Sequence, residues 1–216
     1  MRARALVVAA LVAVLLVVAA ARLLRTEQHY AGSNSVGPKQ AVATLRAGDR
    51  VCQVGELVPR DAATVELAVT TGGEPGPPLE ATLRDERGRT FARGSTRKPY
   101  GDGFVGMPIP VQRQTRTGVE ACFESTGAGA AQLLGLANAQ GRLELDGKPQ
   151  AGVLRVAFRR PGRESWLAFT PTIADRFDVA KTRLAGNWTF WAVMVLVLGI
   201  AGLGIRETLR DEEAPA

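Results

Sequence analysis

LEATLR-DERG-RTFAR, running from Leu79 to Arg93, alternates apolar and polar residues up to a four-residue turn and resumes after it as a β-rich run. Leu79, Ala81 and Leu83 fall on one face, while Glu80, Thr82 and Arg84 fall on the other. A period of two with Asp85-Glu86-Arg87-Gly88 between the halves predicts a β-hairpin. Similar runs recur along the chain at 50–58, 64–70, 118–124, 142–145, 152–158 and 165–169. Gly72-Gly73, Pro75-Gly76-Pro77-Pro78, Gly101-Asp102-Gly103, Asp146-Gly147 and Pro161-Gly162 punctuate them. Short strands separated by Gly/Pro signals predict a mainly β protein, an antiparallel β-sandwich of jelly-roll or immunoglobulin-like kind.

About residues 30–187 are polar enough for one soluble domain with a real core. Neither a repeat nor a low-complexity tract interrupts it. One helix is expected at its end, with Thr170 as N-cap and Pro171 at the first helical position. Ile173, Phe177, Ala180 and Leu184 then recur at helical spacing, and Gly186 is the expected stop. Such a helix suits a spacer or an interfacial helix lying on headgroups.

Outward from this domain, each end of the chain carries an uncharged apolar run, 5–21 and 188–205. At a rise of about 1.5 Å per residue, such runs come close to the ~30 Å hydrocarbon core of a bilayer. Leu23 and Leu24 extend the first, and Arg22 and Arg25 can snorkel to the headgroups. Trp188, Phe190 and Trp191 begin the second with the aromatic signature of a membrane interface. The first run also admits a cleavable signal peptide: Arg2 and Arg4 form a basic start, and Ala19-Ala20-Ala21 a small-residue site. Its length favours an uncleaved signal-anchor.

The expected organisation is a cytoplasmic start (1–4), a transmembrane helix (5–24) and a linker (25–47). An extracytoplasmic sandwich (48–170), a juxtamembrane helix (171–186), a second transmembrane helix (188–205) and a cytoplasmic tail (206–216) follow. Charge alone orients this weakly, because arginines and lysines flank both sides of both runs. A short basic N-terminus normally stays in the cytosol, and the cysteines agree. There are two, Cys52 and Cys122, each in a strand-like run. In an oxidising compartment they are expected to pair, and closing a loop that long contributes about 4 kcal/mol. Two unrelated buried thiols are the alternative.

Catalytic motifs are scarce. His29 is the sole histidine, so no His-based triad or zinc site assembles. There is no G-x-S-x-G. The segment Gly32 to Lys39 superficially resembles a phosphate loop, but Pro38 occupies the lysine position and the segment suits a flexible linker. Asn187-Trp188-Thr189 matches a glycosylation sequon too close to the membrane for a transferase. Asp102, Glu120, Glu124 and Glu164 could support two-carboxylate glycoside chemistry, yet nothing in the sequence joins two of them. Asp102 between glycines suggests calcium less than a turn. Neither a cofactor nor a metal is expected.

A net charge of +6 and a pI near 10.0 are the remaining signal. Outside the membrane, anionic glycans and lipid headgroups are better expected partners than nucleic acid, since few aromatics interleave the arginines. Arg159, Arg160 and Arg163 form one cluster, and Trp166 beside them is a candidate sugar-stacking ring. A high-arginine composition without any ligand explains the charge equally well.

Cys52-Gln53 with Gly55-Glu56, Cys122-Phe123, Arg160-Pro161-Gly162 and Ser165-Trp166 carry a resemblance. With Ile173-Ala174, Arg176-Phe177, Gly186 and Trp188, they make the chain resemble uncharacterised two-pass membrane proteins of GC-rich actinobacteria. Those are often encoded beside glycosyltransferase and polysaccharide-export genes. The resemblance implies that neighbourhood, with a membrane glycosyltransferase or polysaccharide exporter as partner, and transfers no catalytic residue. Three functions stay open: a non-enzymatic accessory or binding module, which is preferred; a carboxylate-based hydrolase of envelope polymers; and a polysaccharide chain-length regulator.

Overall fold

The computed structural model describes residues 2–96, 98–139 and 141–171, with 192, 193, 195, 196 and 199. Two units emerge, Gln28–Gly162 and a terminal unit of Met1–Glu27 with Arg163–Ala216. In chain order the elements are α1 (Arg2–Leu24), β1 (Thr26–Glu27), β2 (Tyr30–Ser33), β3 (Gln40–Arg46), β4 (Arg50–Val58) and β5 (Thr64–Thr70). Then come β6 (Leu79–Arg84), β7 (Thr90–Ser95), β8 (Gly103–Pro108), β9 (Arg116–Ser125) and β10 (Ala130–Leu136). β11 (Arg142–Leu145), β12 (Lys148–Gln150), β13 (Val153–Leu154), β14 (Val156–Arg159) and β15 (Glu164–Ser165) complete them.

Unit Gln28–Gly162 is built from two antiparallel sheets. The six-stranded sheet runs β12-β11-β4-β9-β6-β7. In the seven-stranded sheet β5 is central, bonding β8 along one edge and β14 and β10 along the other, with β2 and β3 outside those. Phe123 of β9 and Leu83 of β6 meet Phe158 of β14, Leu67 of β5 and Met107 of β8 in one buried cluster. Each such side chain contributes about 1.5–3 kcal/mol by leaving water. Alternation explains the sidedness: the residues between these anchors, such as Glu66 and Glu120, face away from the core. The fold is therefore mainly β and sandwich-like.

The hairpin of β6 and β7 forms where the alternation placed it. Gly88 N–H donates to Asp85 O at 2.8 Å, with Gly88 at φ 73°, a conformation that suits glycine. Asp85 braces the turn, accepting from the backbone N–H groups of Arg87 and Arg89, both at 3.0 Å.

Three expectations change. The linker expected at 25–47 supplies β1, β2 and β3; Ala31 of β2 and Ala43 and Leu45 of β3 are small or apolar residues that reach the core. The strand expected at 165–169 is helical over 166–171. That helix starts four residues before the expected Thr170 cap: Ala168 N–H donates to Ser165 Oγ at 3.2 Å, so Ser165 is the N-cap. Thr170 instead bonds back to Trp166 O at 3.0 Å.

The first expected span coincides with α1, a helix of 23 residues. Among the described residues no helix is long and apolar enough to cross a membrane. Within α1 the side chains of 2–6, 8, 9, 12 and 13 are outside the described set. The remainder of the expected juxtamembrane helix and most of 188–205, including Trp188, Phe190 and Trp191, also lie outside it.

Candidate functional site

Cys52 and Cys122 face each other across β4 and β9 and form a disulfide, with Cα atoms 4.0 Å apart. Of the two readings open for these thiols, pairing is the one realised. Both sulfurs point to the outer side of the six-stranded sheet, where Glu120 lies close enough to suggest a metal triad. The disulfide consumes both thiolates, and Glu120 Oε2 sits 3.4 Å from Arg84 Nη1. That outer face is mixed in charge. Across β4, β9, β6 and β7 one register row reads Arg50, Glu124, Glu80, Ser95.

The four carboxylates expected from the sequence are spread over different elements. Glu120 and Glu124 share a face of β9 but are four residues apart, about 13 Å between Cα atoms. Asp102 belongs to the loop before β8, in the other sheet, and Glu164 to the terminal unit. Asp102 Oδ1 accepts from Thr70 Oγ1 at 2.9 Å and Thr71 N–H at 2.6 Å, so it clips a turn. Those donors, Thr71 N–H first, hold its carboxyl below the usual carboxylate range.

A bulge in β4 turns Gln53 and Glu56 inward, with Gly55 at φ 93° between them. Gln53 Nε2 donates to Glu56 Oε1, and Asn34 Nδ2 reaches the same oxygen at 3.2 Å. Leu154 N–H donates to Gln53 Oε1 at 2.6 Å, tying the two sheets together. The Gln53 and Gly55-Glu56 motif thus builds a buried polar brace.

On the seven-stranded sheet, β14 places Arg159 opposite Tyr30. The guanidinium lies 4.4 Å from the Tyr30 ring centre and pairs through Nε with Glu66 Oε2. Its Nη1 donates to Gln28 O and its Nη2 to the Tyr30 hydroxyl, both at 3.1 Å. The Tyr30 hydroxyl donates in turn to Glu66 Oε1 at 3.1 Å. Burial, then the Glu66 charge, raises the Tyr30 pKa above its ordinary value. Arg160 N–H donates to His29 O at 2.9 Å, and Gln28 Nε2 to Arg160 O at 2.8 Å. Arg160 Nη2 approaches Asp61 Oδ2 at 3.5 Å. Both expected ligand arginines of this unit therefore clasp its first and last strands.

The same outer face exposes Phe104, with the Arg155 guanidinium 6.0 Å from its ring centre. Ala68, Ala157 and Gly106 lie beside them, so the floor is shallow. Phe104, Tyr30 and Glu66 escaped the sequence reading. Glu66 left a signal, a lone charge in the apolar run TVELAVT that demanded a buried partner. A groove of about 430 Å³ opens beside β3, lined by Val42, Arg46, Asp49, Leu145 and Gln150. The only carboxylate among these, Asp49, accepts from Arg46 N–H at 2.8 Å.

In the terminal unit, β1 and β15 pair antiparallel, Thr26 with Ser165 and Glu27 with Glu164. Arg163 donates to Thr26 O from Nη2 at 2.9 Å and from Nε at 3.3 Å. Trp166 Nε1 donates to Glu27 Oε1, and its ring meets Phe169 edge-on at 6.2 Å. Trp166 and Arg163 thus fall in a different unit from Arg159 and Arg160.

No protein-family model matches the chain, and neither does any curated protein. Among solved structures it is similar to a beta-1,3-glucan binding CBM6 from Bacillus halodurans, at 17% identity over 51% of this chain and 96% of that one, with TM-score 0.28. The BiXyn10A CBM1 matches at 11% identity over 60% and 61%, with TM-score 0.23. A structure of infectious bursal disease virus Gx strain matches at 16% identity over 64% and 37%, with TM-score 0.26.

Proposed function

We propose that this chain is a non-enzymatic protein that holds an antiparallel β-sandwich, of jelly-roll or immunoglobulin-like kind, outside the plasma membrane, mounted by both ends. In this reading α1 and residues 188–205 are the two anchors, and both termini are cytoplasmic. The observation that carries it is the pairing of Thr26 with Ser165. It makes the segment leaving α1 and the segment heading for the second apolar run neighbours, as two anchors in one bilayer require. The disulfide supports an oxidising compartment.

The mounted domain acts as an accessory or glycan- or partner-binding component of envelope polysaccharide synthesis or export. Exposed Phe104 with Arg155, over a floor of alanine and glycine, supports an anionic glycan as ligand. The hydrolase alternative is weaker, because Glu66, Glu120 and Asp102 are each engaged with neighbouring donors.

Membranes carrying the full chain, treated from outside with protease, test the mount. A protected fragment for each terminus is expected, and complete extraction of the chain by alkaline carbonate overturns it. Retention on immobilised acidic polysaccharide tests the ligand. Phe104→Ala is expected to weaken retention at least tenfold, and equal retention of both proteins rejects the face.

A further inference from the structure

We infer that residues 22–27 and 163–167 form a collar that seats on anionic phospholipid headgroups, an inference resting on the membrane-mounted reading above. All of these residues belong to the terminal unit. The register that pairs Thr26 with Ser165 brings Arg25 level with Trp166. Leu23 and Leu24 end α1 with their side chains exposed, and Trp166 and Leu167 begin the following helix 41% and 58% exposed. Arg22, Arg25 and Arg163 are exposed as well. Two hydrogen bonds to Thr26 O fix Arg163 at the level of the ribbon rather than leaving it to sweep through solvent.

Position along the ribbon then sorts these groups by depth. Leu23, Leu24, Trp166 and Leu167 lie toward α1. The two residue pairs of the ribbon extend about 7 Å beyond them, close to the thickness of one headgroup layer. Trp166 has the form an interface favours, an apolar ring with its polar N–H satisfied, here by Glu27. Glu27 and Glu164 are the acidic groups of the ribbon, directly opposite each other, and Glu27 already accepts from the indole. Three arginines against two carboxylates leave the collar cationic, which matches phosphate-bearing lipid. Trp166 is accordingly an anchor at the membrane surface. Its T-shaped contact with Phe169 and its tethered nitrogen leave less of it for stacking on a sugar.

The chain has three tryptophans, so W188F/W191F leaves Trp166 as the only indole fluorophore. The full-length variant is reconstituted into vesicles of phosphatidylcholine alone or with phosphatidylglycerol. Failure to float with either vesicle overturns the mount itself. With flotation intact, Trp166 emission is expected to shift to the blue and to be quenched more by lipids brominated near the carbonyl than near the methyl end. Unquenched emission typical of water overturns the collar, as does a shift produced only by soluble polysaccharide. Enrichment of phosphatidylglycerol around the protein is expected to fall about fivefold for each of Arg22→Gln, Arg25→Gln and Arg163→Gln. Unchanged enrichment in the triple variant overturns the arginine–phosphate contacts, and R25Q keeps that test valid should R163Q disturb the ribbon.

Discussion

The unit Gln28–Gly162 closes distant parts of its chain in two ways. At the centre of the six-stranded sheet, Cys52 and Cys122 are joined by a covalent bond across 70 residues of sequence. At the edge of the seven-stranded sheet, Tyr30 and Arg159 are 129 residues apart and held by hydrogen bonds, a stacked guanidinium and the Glu66 carboxylate. The first closure restricts the unfolded chain and ignores pH. The second exists only while its charges do. A domain locked in its middle and clasped electrostatically at its ends should loosen from the ends inward.

The largest effect that separates the two closures is loss of the disulfide. Cys52→Ala/Cys122→Ala is expected to cost about 4 kcal/mol in chemical denaturation, from the entropy returned to the unfolded chain. The amide protection of residues 30–33 should then fall no further than that of the core. Next comes the clasp: Glu66→Ala removes the carboxylate that pairs with Arg159 and is expected to cost about 2–3 kcal/mol. Its amide exchange should rise first in β2 and β14, and a uniform rise across both sheets would make the clasp part of the core. Ser165→Ala removes the helix cap and should cost about 1 kcal/mol, seen as faster exchange at Ala168 alone.

Smallest and most diagnostic is the pH dependence. Asp85 and Asp102 are held below the usual carboxylate range, chiefly by the backbone N–H groups of Arg89 and Thr71. Their contribution is present above the ordinary carboxylate pKa and lost as pH falls through the lowered values. Tyr30 runs the other way. Its pKa is raised, so its contribution is present below about 10 and lost as pH rises through the raised value. Tyr100, pushed up to about 12 by burial, adds to the same arm. Acid should therefore loosen two turns and alkali the clasp. Asp85→Asn/Asp102→Asn is expected to flatten the acid arm of the denaturation midpoint, and Tyr30→Phe the alkaline arm; an alkaline arm identical in Y30F would remove the clasp from the account.

Strands with alternating or β-rich runs were legible: β4, β5, β6 and β11 fall where those runs placed them. β10, with the sequence AAQLLGL, was not, because alanine, leucine and glycine carry little strand preference and its pairing with β3 and β5 is a tertiary effect. β8 hid for the same reason behind Gly103 and Gly106. Of the expected ligand residues, Arg159, Arg160, Arg163 and Trp166 were found as a cluster in sequence. Their partners Gln28 and Tyr30 were invisible, and Glu66 showed only as an unexplained charge in an apolar run, since all three lie nearly a hundred residues or more away. A segment that reads as a polar linker becomes half of two ribbons only once the far strand arrives.

Because Tyr30 pairs with Arg159, the sandwich segment begins and finishes a strand's width apart. A fold closed in this way is a portable insert. Cut at residues 28 and 162, it can be set into a surface loop of an unrelated host without stretching either side of the loop. The same geometry allows the order of its strands along the chain to be rotated, with new ends opened in the exposed turn at Gly88 and the old ones joined by a short bridge.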